Sequence, residues 1–254
     1  MTEFAPDNIA FLITRPAGKA DNLLAALDES GVSYLYQPLI TTAQVNVTPY
    51  DIQQLQQADA VVFVSVSAVI SLQNQLDASM LGAPLFAVGQ TTAMALQSWL
   101  GRSAEVPEDQ RSEGLLQLPQ LQQLAGKNIV VVRGNAGREL IKQGLVARGA
   151  AVRYVQSYKR VALPLDGELL CQQWQLAGIR CIVATSNEIL QQLFKLVPQA
   201  HHHWLTQRDF ILVSPRVQDS ALALGIAQQN IILAANANDW ALLSAISQLK
   251  REYQ

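Results

Sequence analysis

At 254 residues, half of them apolar, the chain can fill one large core or two of ordinary domain size. A formal net charge of -2 without an extended basic block excludes nucleic acid as the main partner, because neutralising phosphates takes clustered Lys and Arg. Only 15% of residues are charged, so an arginine in a loop is more informative than usual.

The opening Met1-Thr2-Glu3-Phe4-Ala5-Pro6-Asp7 is acidic and broken by proline, unlike a secretory signal. The uncharged run Ala60 to Leu76 is closed by Gln73, Asn74 and Gln75 before it could span a bilayer. These features predict a cytoplasmic protein without a membrane partner. In chain order, β-branched runs predict strands at Ile9 to Thr14, Ser33 to Tyr36, Val61 to Ser65, Leu85 to Val88, Ile129 to Arg133, Ala151 to Val155, Cys181 to Ala184, Phe210 to Val213 and Ile231 to Leu233. Apolar spacings of three and four predict helices at Asp21 to Glu29, Ala68 to Leu76, Thr92 to Leu100, Glu139 to Arg148, Glu188 to Val197 and Asp239 to Lys250. Strands apolar on both faces belong to parallel sheets covered by helices on each side. Gly31 and Gly149 stand where helices stop and strands follow, which is βαβ grammar.

The chain also repeats itself. Ile13-Thr14-Arg15 and Gly31 reappear as Val131-Val132-Arg133 and Gly149, offset by 118 residues. Val64-Ser65 returns as Thr185-Ser186 at an offset of 121, and Val88-Gly89 as Val213-Ser214 at 125, a drift that loop insertions leave in a duplicated fold. Two segments at equivalent points of the repeats, 36–42 and 155–161, are extended and mixed in polarity, and read as hinges. A boundary at Leu121 to Gly126 has little linker character. The fold expected is therefore α/β, with two doubly wound parallel-sheet domains joined by a two-stranded hinge. One domain is discontinuous, 1–37 with 160–254, and the other is 42–155, with a ligand cleft between them.

Candidate site residues gather at strand ends, where open α/β sheets bind ligands. Arg15, Arg133 and Arg138 follow equivalent strands; each serves as a bidentate hand for an anion or simply holds its own loop. Ser65, Gly89, Thr92, Thr185, Ser186 and Ser214 stand at or next to helix starts, where free N–H groups favour carboxylates or phosphates, although ordinary capping explains any one of them. Tyr158, in the second hinge, brings a phenol able to donate a proton or a hydrogen bond, or else packs between strands; Tyr34, Tyr36 and Tyr154 are assigned to packing. Gly18-Lys19-Ala20 and Gly126-Lys127-Asn128 lack the remainder of a P-loop, no GxGxxG follows the first strand, and HExxH and GxSxG are absent. His201, His202 and His203 fall in a predicted loop, Cys171 and Cys181 read as free thiols, and Glu108, Asp109 and Glu113 share one loop without a visible partner. No metal or cofactor is expected, and nothing requires more than a monomer.

Ile13-Thr14-Arg15-Pro16, Phe63-Val64-Ser65 with Ala68-Val69, Val88-Gly89 with Thr92-Ala93, Ser112-Glu113-Gly114-Leu115-Leu116, Arg133-Gly134-Asn135-Ala136-Gly137-Arg138-Glu139-Leu140, Ser157-Tyr158 and Thr185-Ser186 together resemble the uroporphyrinogen-III synthase family, in order and over almost the full length. The resemblance implies a cofactor-free enzyme acting on the linear tetrapyrrole hydroxymethylbilane. It implies two α/β domains joined by a two-stranded ladder, with Tyr158 assisting departure of the substrate hydroxyl and the strand-end residues named above binding its carboxylates. Ser214-Pro215-Arg216-Val217 departs from the family's usual Gly-Pro-Thr turn. Two readings compete: a two-domain protein that binds an anionic small molecule without changing it, and a transferase of doubly wound fold, which lacks a phosphate loop and an acidic metal pair.

Overall fold

The structure, a computed structural model, describes residues 10–135, 137 and 139–252. The chain divides into two compact units, one ending at Thr41 and resuming at Ala162, the other spanning Thr42–Val161. Both are α/β and each is built on a sheet of parallel strands, as the alternation predicts.

The elements in chain order are β1 (Ala10–Ile13), α1 (Asp21–Glu29), β2 (Tyr34–Tyr36), β3 (Ile40–Gln44), α2 (Pro49–Gln56), β4 (Ala60–Phe63), α3 (Val66–Gln73) and β5 (Leu85–Ala87). They continue with α4 (Gln90–Leu100), α5 (Ser112–Leu115), β6 (Asn128–Gly134), α6 (Leu140–Val146), β7 (Ala151–Ala162), α7 (Gly167–Leu176) and β8 (Ile179–Ala184). The last are α8 (Asn187–Leu196), α9 (His202–Thr206), β9 (Asp209–Leu212), α10 (Pro215–Ala223), β10 (Ile231–Leu233) and α11 (Asp239–Glu252). No helix among the described residues is long and apolar enough to cross a membrane.

The discontinuous unit holds the sheet β10-β9-β8-β1-β2, parallel at each pairing. Successive strand side chains alternate between faces. Leu12, Ile182, Phe210 and Leu212 accordingly enter one buried cluster with α7, α8 and α10, while Phe11, Ile13, Cys181, Val183 and Ile211 enter another with α1 and α11. Cys171 and Cys181 are both free and buried, and burial pushes the Cys181 thiol well above its ordinary value. Gly31 ends α1 with φ +58°, a left-handed turn that L side chains adopt only at a cost.

The continuous unit holds β3-β7-β6-β4-β5, with β4, β5, β6 and β7 joined by parallel pairings. Val61, Phe63, Val130 and Val132 pack on one face with α3 and α4, and Ala60, Val62, Ile129 and Val131 on the other with α5 and α6. All four residues of β4 are buried, as befits a strand between β5 and β6 with helices on both faces.

The structure departs from the expected pattern in several places. His201 to His203 do not form a loop: His201 closes a 3-10 turn and His202 opens α9, held by buried Leu205 and by the His202 ring, whose Nε2 lies 3.0 Å from the carbonyls of both Phe194 and Val197. Glu113 belongs to α5 rather than to a loop. Helices α2, α7 and α10 stand where none is predicted. The Thr48 capping box with Pro49 starts α2, the Asp166 carboxylate caps α7 through Leu169 N–H, and Pro215 fits the first turn of α10, where no N–H is needed.

Candidate functional site

Parallel strands put their carboxyl ends on one edge, so the continuous unit brings Ser65 after β4, Gly89 and Thr92 after β5, and Arg133 at the end of β6 to the same side as Tyr158 on β7. Ser65 has extended backbone, φ -166° and ψ 160°, and caps α3 by accepting from Ala68 N–H at 3.2 Å. Its Oγ also lies 3.1 Å from Tyr158 Oη. Tyr158 is 7% exposed, so the ring is packed and the hydroxyl is the group with chemistry to offer. Gly89 caps α4 without a side chain; Gln110 supplies the missing acceptor, its Oε1 receiving Gln90 N–H at 2.8 Å. Thr92 is buried in the first turn of that helix.

Arg133 is the most committed of the predicted arginines. It is 6% exposed, pairs with Glu139 at 2.9 Å and lays its guanidinium 4.4 Å above the Tyr154 ring. Tyr154 in turn donates its O–H to Glu139 at 2.8 Å. That donation, then the Arg133 charge, holds the Glu139 carboxyl below the usual carboxylate range, while burial and Glu139 raise the Tyr154 phenol. Arg133 and Tyr154 also line a cavity of about 130 Å³ with Ser112, Gly137 and Ile141. Arg138 lies outside the described residues. Asp109, with no partner visible in the sequence, accepts from the Nε–Nη2 edge of the Arg111 guanidinium through both carboxylate oxygens, at 2.6 and 2.9 Å.

The discontinuous unit gathers Arg15, Thr185, Ser186 and Ser214 on the carboxyl edge of its own sheet. Ser186 copies Ser65 almost to the degree, with φ -164° and ψ 160°, and caps α8 through Ile189 N–H at 3.2 Å. Thr185 precedes it. Ser214 has the same extended backbone at the start of α10 but makes no capping bond with its hydroxyl. Thr14 closes β1 with its hydroxyl donated to Val183 C=O at 2.7 Å. Arg15 is paired with Asp239 at the start of α11.

The repeat at 118 residues extends to a cluster of side chains that the strand and helix patterns do not display. Arg133, Glu139 and Tyr154 each stand 118 residues after Arg15, Asp21 and Tyr36. In the discontinuous unit the cluster has come apart: Arg15 turns to Asp239, and the Tyr36 hydroxyl is buried with no hydrogen-bond partner among the described residues. Burial and then the Asp21 charge raise the Tyr36 phenol, with Arg15 opposing. The signal was available as an arginine, an acid and a tyrosine at one constant offset, but it needed all three to be compared at once.

Among the described residues no group of three or more His, Cys, Asp or Glu could hold a metal ion. The fold and its edges define a duplicated α/β protein that collects hydroxyls, helix starts and arginines at the carboxyl ends of two parallel sheets. The family described as Uroporphyrinogen-III synthase HemD matches residues 21–241. The chain is 38% identical over 247 residues to uroporphyrinogen-III synthase of Escherichia coli (strain K12), covering 94% of this chain and 100% of that protein. In fold it is similar to the crystal structure of uroporphyrinogen-III synthetase from Helicobacter pylori 26695, with a TM-score of 0.60 at 14% identity over 97% of this chain and 100% of that one. A mutant uroporphyrinogen III synthase from the extremely thermophilic bacterium Thermus thermophilus gives 0.58 at 19% identity, again over 97% and 100%. The chain belongs to the uroporphyrinogen-III synthase family and is an enzyme of the cyclising lyase class.

Proposed function

We propose that the chain dehydrates hydroxymethylbilane and closes it with ring D inverted, giving uroporphyrinogen III. In this reading Tyr158 donates its proton to the hydroxyl leaving ring A, and water departs. The azafulvene left behind is attacked by the already substituted carbon of ring D. In the spiro intermediate the bond from that carbon to its original bridge breaks, and the bridge bonds to the free carbon of ring D instead. The hydrogen of that carbon leaves as the proton that balances the one given by Tyr158, so ring D reconnects inverted. Arg15, Arg133 and Arg138, with the helix starts at Ser65, Gly89, Thr92, Thr185, Ser186 and Ser214, receive the eight carboxylates of the substrate. A guanidinium carries five N–H groups, so pairing with Asp239 engages only part of Arg15. Holding the reacting ends together is worth about 7 to 11 kcal/mol in good intramolecular reactions, and no cofactor is invoked. The rival binding-protein reading is not favoured by the family match.

The observation that carries the proposal is the Tyr158 phenol, packed on a sheet and presented 3.1 Å from Ser65 at the carboxyl edge. The setting proposed is cytoplasmic, as a monomer, with the small tetrapyrrole as partner and neither nucleic acid nor membrane. Incubation with hydroxymethylbilane followed by separation of the ring isomers tests the activity. The type III isomer is expected; only the symmetrical isomer, at the rate seen without protein, overturns the reading.

A further inference from the structure

We propose that Gly134 and Asn135 are positioning residues that seat the Tyr158 phenol, an inference that rests on the reading of Tyr158 as the proton donor. β6 and β7 pair residue for residue from Asn128 opposite Ala151 to Arg133 opposite Gln156, and then Gly134 stands opposite Tyr158. One residue, Ser157, is extra. This bulge breaks the alternation, so that Ser157 and Tyr158 are both buried, at 0% and 7% exposure. Ser157 is fixed from three sides: its hydroxyl donates to Ala68 C=O at 3.3 Å, and its carbonyl accepts Val45 N–H at 2.8 Å and the Ser71 hydroxyl. The backbone that carries Tyr158 is thereby held in register.

The ring then lies across the end of β6 toward Ser65 at the end of β4. It passes over Gly134, where a Cβ would meet Tyr158 Cε2 at 2.6 Å and Cζ at 2.7 Å. The backbone of Gly134 is outside the left-handed region, so conformation does not demand glycine there; the ring does. Asn135 completes the seat. Its N–H donates to Tyr158 C=O at 3.2 Å and its Oδ1 accepts Arg160 N–H at 3.1 Å, clasping β7 on both sides of Lys159.

The test is a pair of double-mutant cycles read by kcat, KM and melting temperature with hydroxymethylbilane. A Cβ at Gly134 must push the ring by about 1 Å, a displacement that costs on the order of 100-fold when it misplaces a reacting group. Gly134→Ala is expected to lower kcat by about 10- to 100-fold with KM little changed. Placed on Tyr158→Phe, whose ring still meets the Cβ, it should lower the melting temperature again but leave kcat where Tyr158→Phe put it. Equal kcat losses in the two backgrounds, or no loss in the parent, overturn the inference while leaving the donor reading intact. If Gly134→Ala does not fold, Asn135→Ala decides, since it adds no volume: a kcat loss with Tyr158 and none with Phe supports the seat, and any other pattern refutes it. Parental kcat in Tyr158→Phe alone brings down the donor reading and this inference together.

Discussion

Replacing Tyr158 by Phe deletes one oxygen and leaves the ring in its place on Gly134, so its cost to folding follows from the hydrogen bonding of that oxygen. Oη has Ser65 Oγ at 3.1 Å, and Ser65 keeps its other partner, Ala68 N–H at 3.2 Å. One neutral hydrogen bond goes, worth about 1 kcal/mol. For a chain of this size that is a fall of about 2 to 4 °C in melting temperature. If the phenol protonates the leaving hydroxyl, the same change removes general acid catalysis worth about 10² to 10⁴ in rate, or roughly 3 to 5 kcal/mol of barrier. The variant should therefore melt almost like the parent and turn over at least 100-fold more slowly. Isomer separation gives a second readout, because substrate that the enzyme fails to process closes unaided to the symmetrical isomer. A kcat near the parental value with an unchanged isomer ratio would show that Tyr158 only packs.

Ser186→Ala removes the α8 cap but not the backbone donors, so about 1 kcal/mol of stability should go while turnover drops only modestly; abolished turnover would show that the hydroxyl itself does chemistry or binding. Gly114→Ala should destabilise by about 1 to 3 kcal/mol, since its Cβ would sit 2.0 Å from the Asp109 carbonyl oxygen, which accepts Arg111 N–H at 2.6 Å; an unchanged melting temperature would mean this loop yields freely. Glu139 has a depressed folded-state carboxyl, so its contribution is present above the ordinary glutamate value of about 4.3 and is lost as pH falls through the lower folded value. The melting gap between the parent and Glu139→Gln should accordingly narrow on acidification from pH 7, and a gap that holds constant into the acid range would assign the effect to packing instead.

How much of this was legible depended on whether a feature is written in a local pattern. Strands β4, β5, β6, β8 and β9 announce themselves because they are largely buried on two faces, and Asp21 to Glu29 is a helix at the bounds its spacing gives. Ser65 and Ser186 are legible because a capping serine stands at a strand end next to a helix start. Pro215 misled because Ser-Pro reads equally as a turn and as the first residue of a helix; Gly167, a poor helix former, hid the start of α7. The bulge at Ser157 could not be read at all. Two adjacent residues of mixed polarity say nothing about which neighbour they will pair with, and it is the register against β6 that turns both inward.

The two copies differ where the proposed chemistry lies. Position for position at the offset of 118, Tyr158 matches Ile40 and Gly134 matches Pro16. One copy thus holds a phenol over a residue with no side chain, and the other holds an aliphatic group and a proline that could not leave the same space. The arginine, acid and tyrosine cluster diverges in step: intact around Arg133, where it braces the loop next to Gly134, and dispersed around Arg15, where Asp239 takes over the arginine. A bracing cluster is needed most beside a group whose position sets a rate, since a loop that drifts by about 1 Å forfeits much of what proximity supplies. On this argument the Glu139 pair supports Tyr158 as well as the proposed substrate binding. Loosening it by Tyr154→Phe, which removes the hydroxyl bond and keeps the ring under Arg133, should lower kcat more than it raises KM, and the reverse order would return the cluster to a purely binding role.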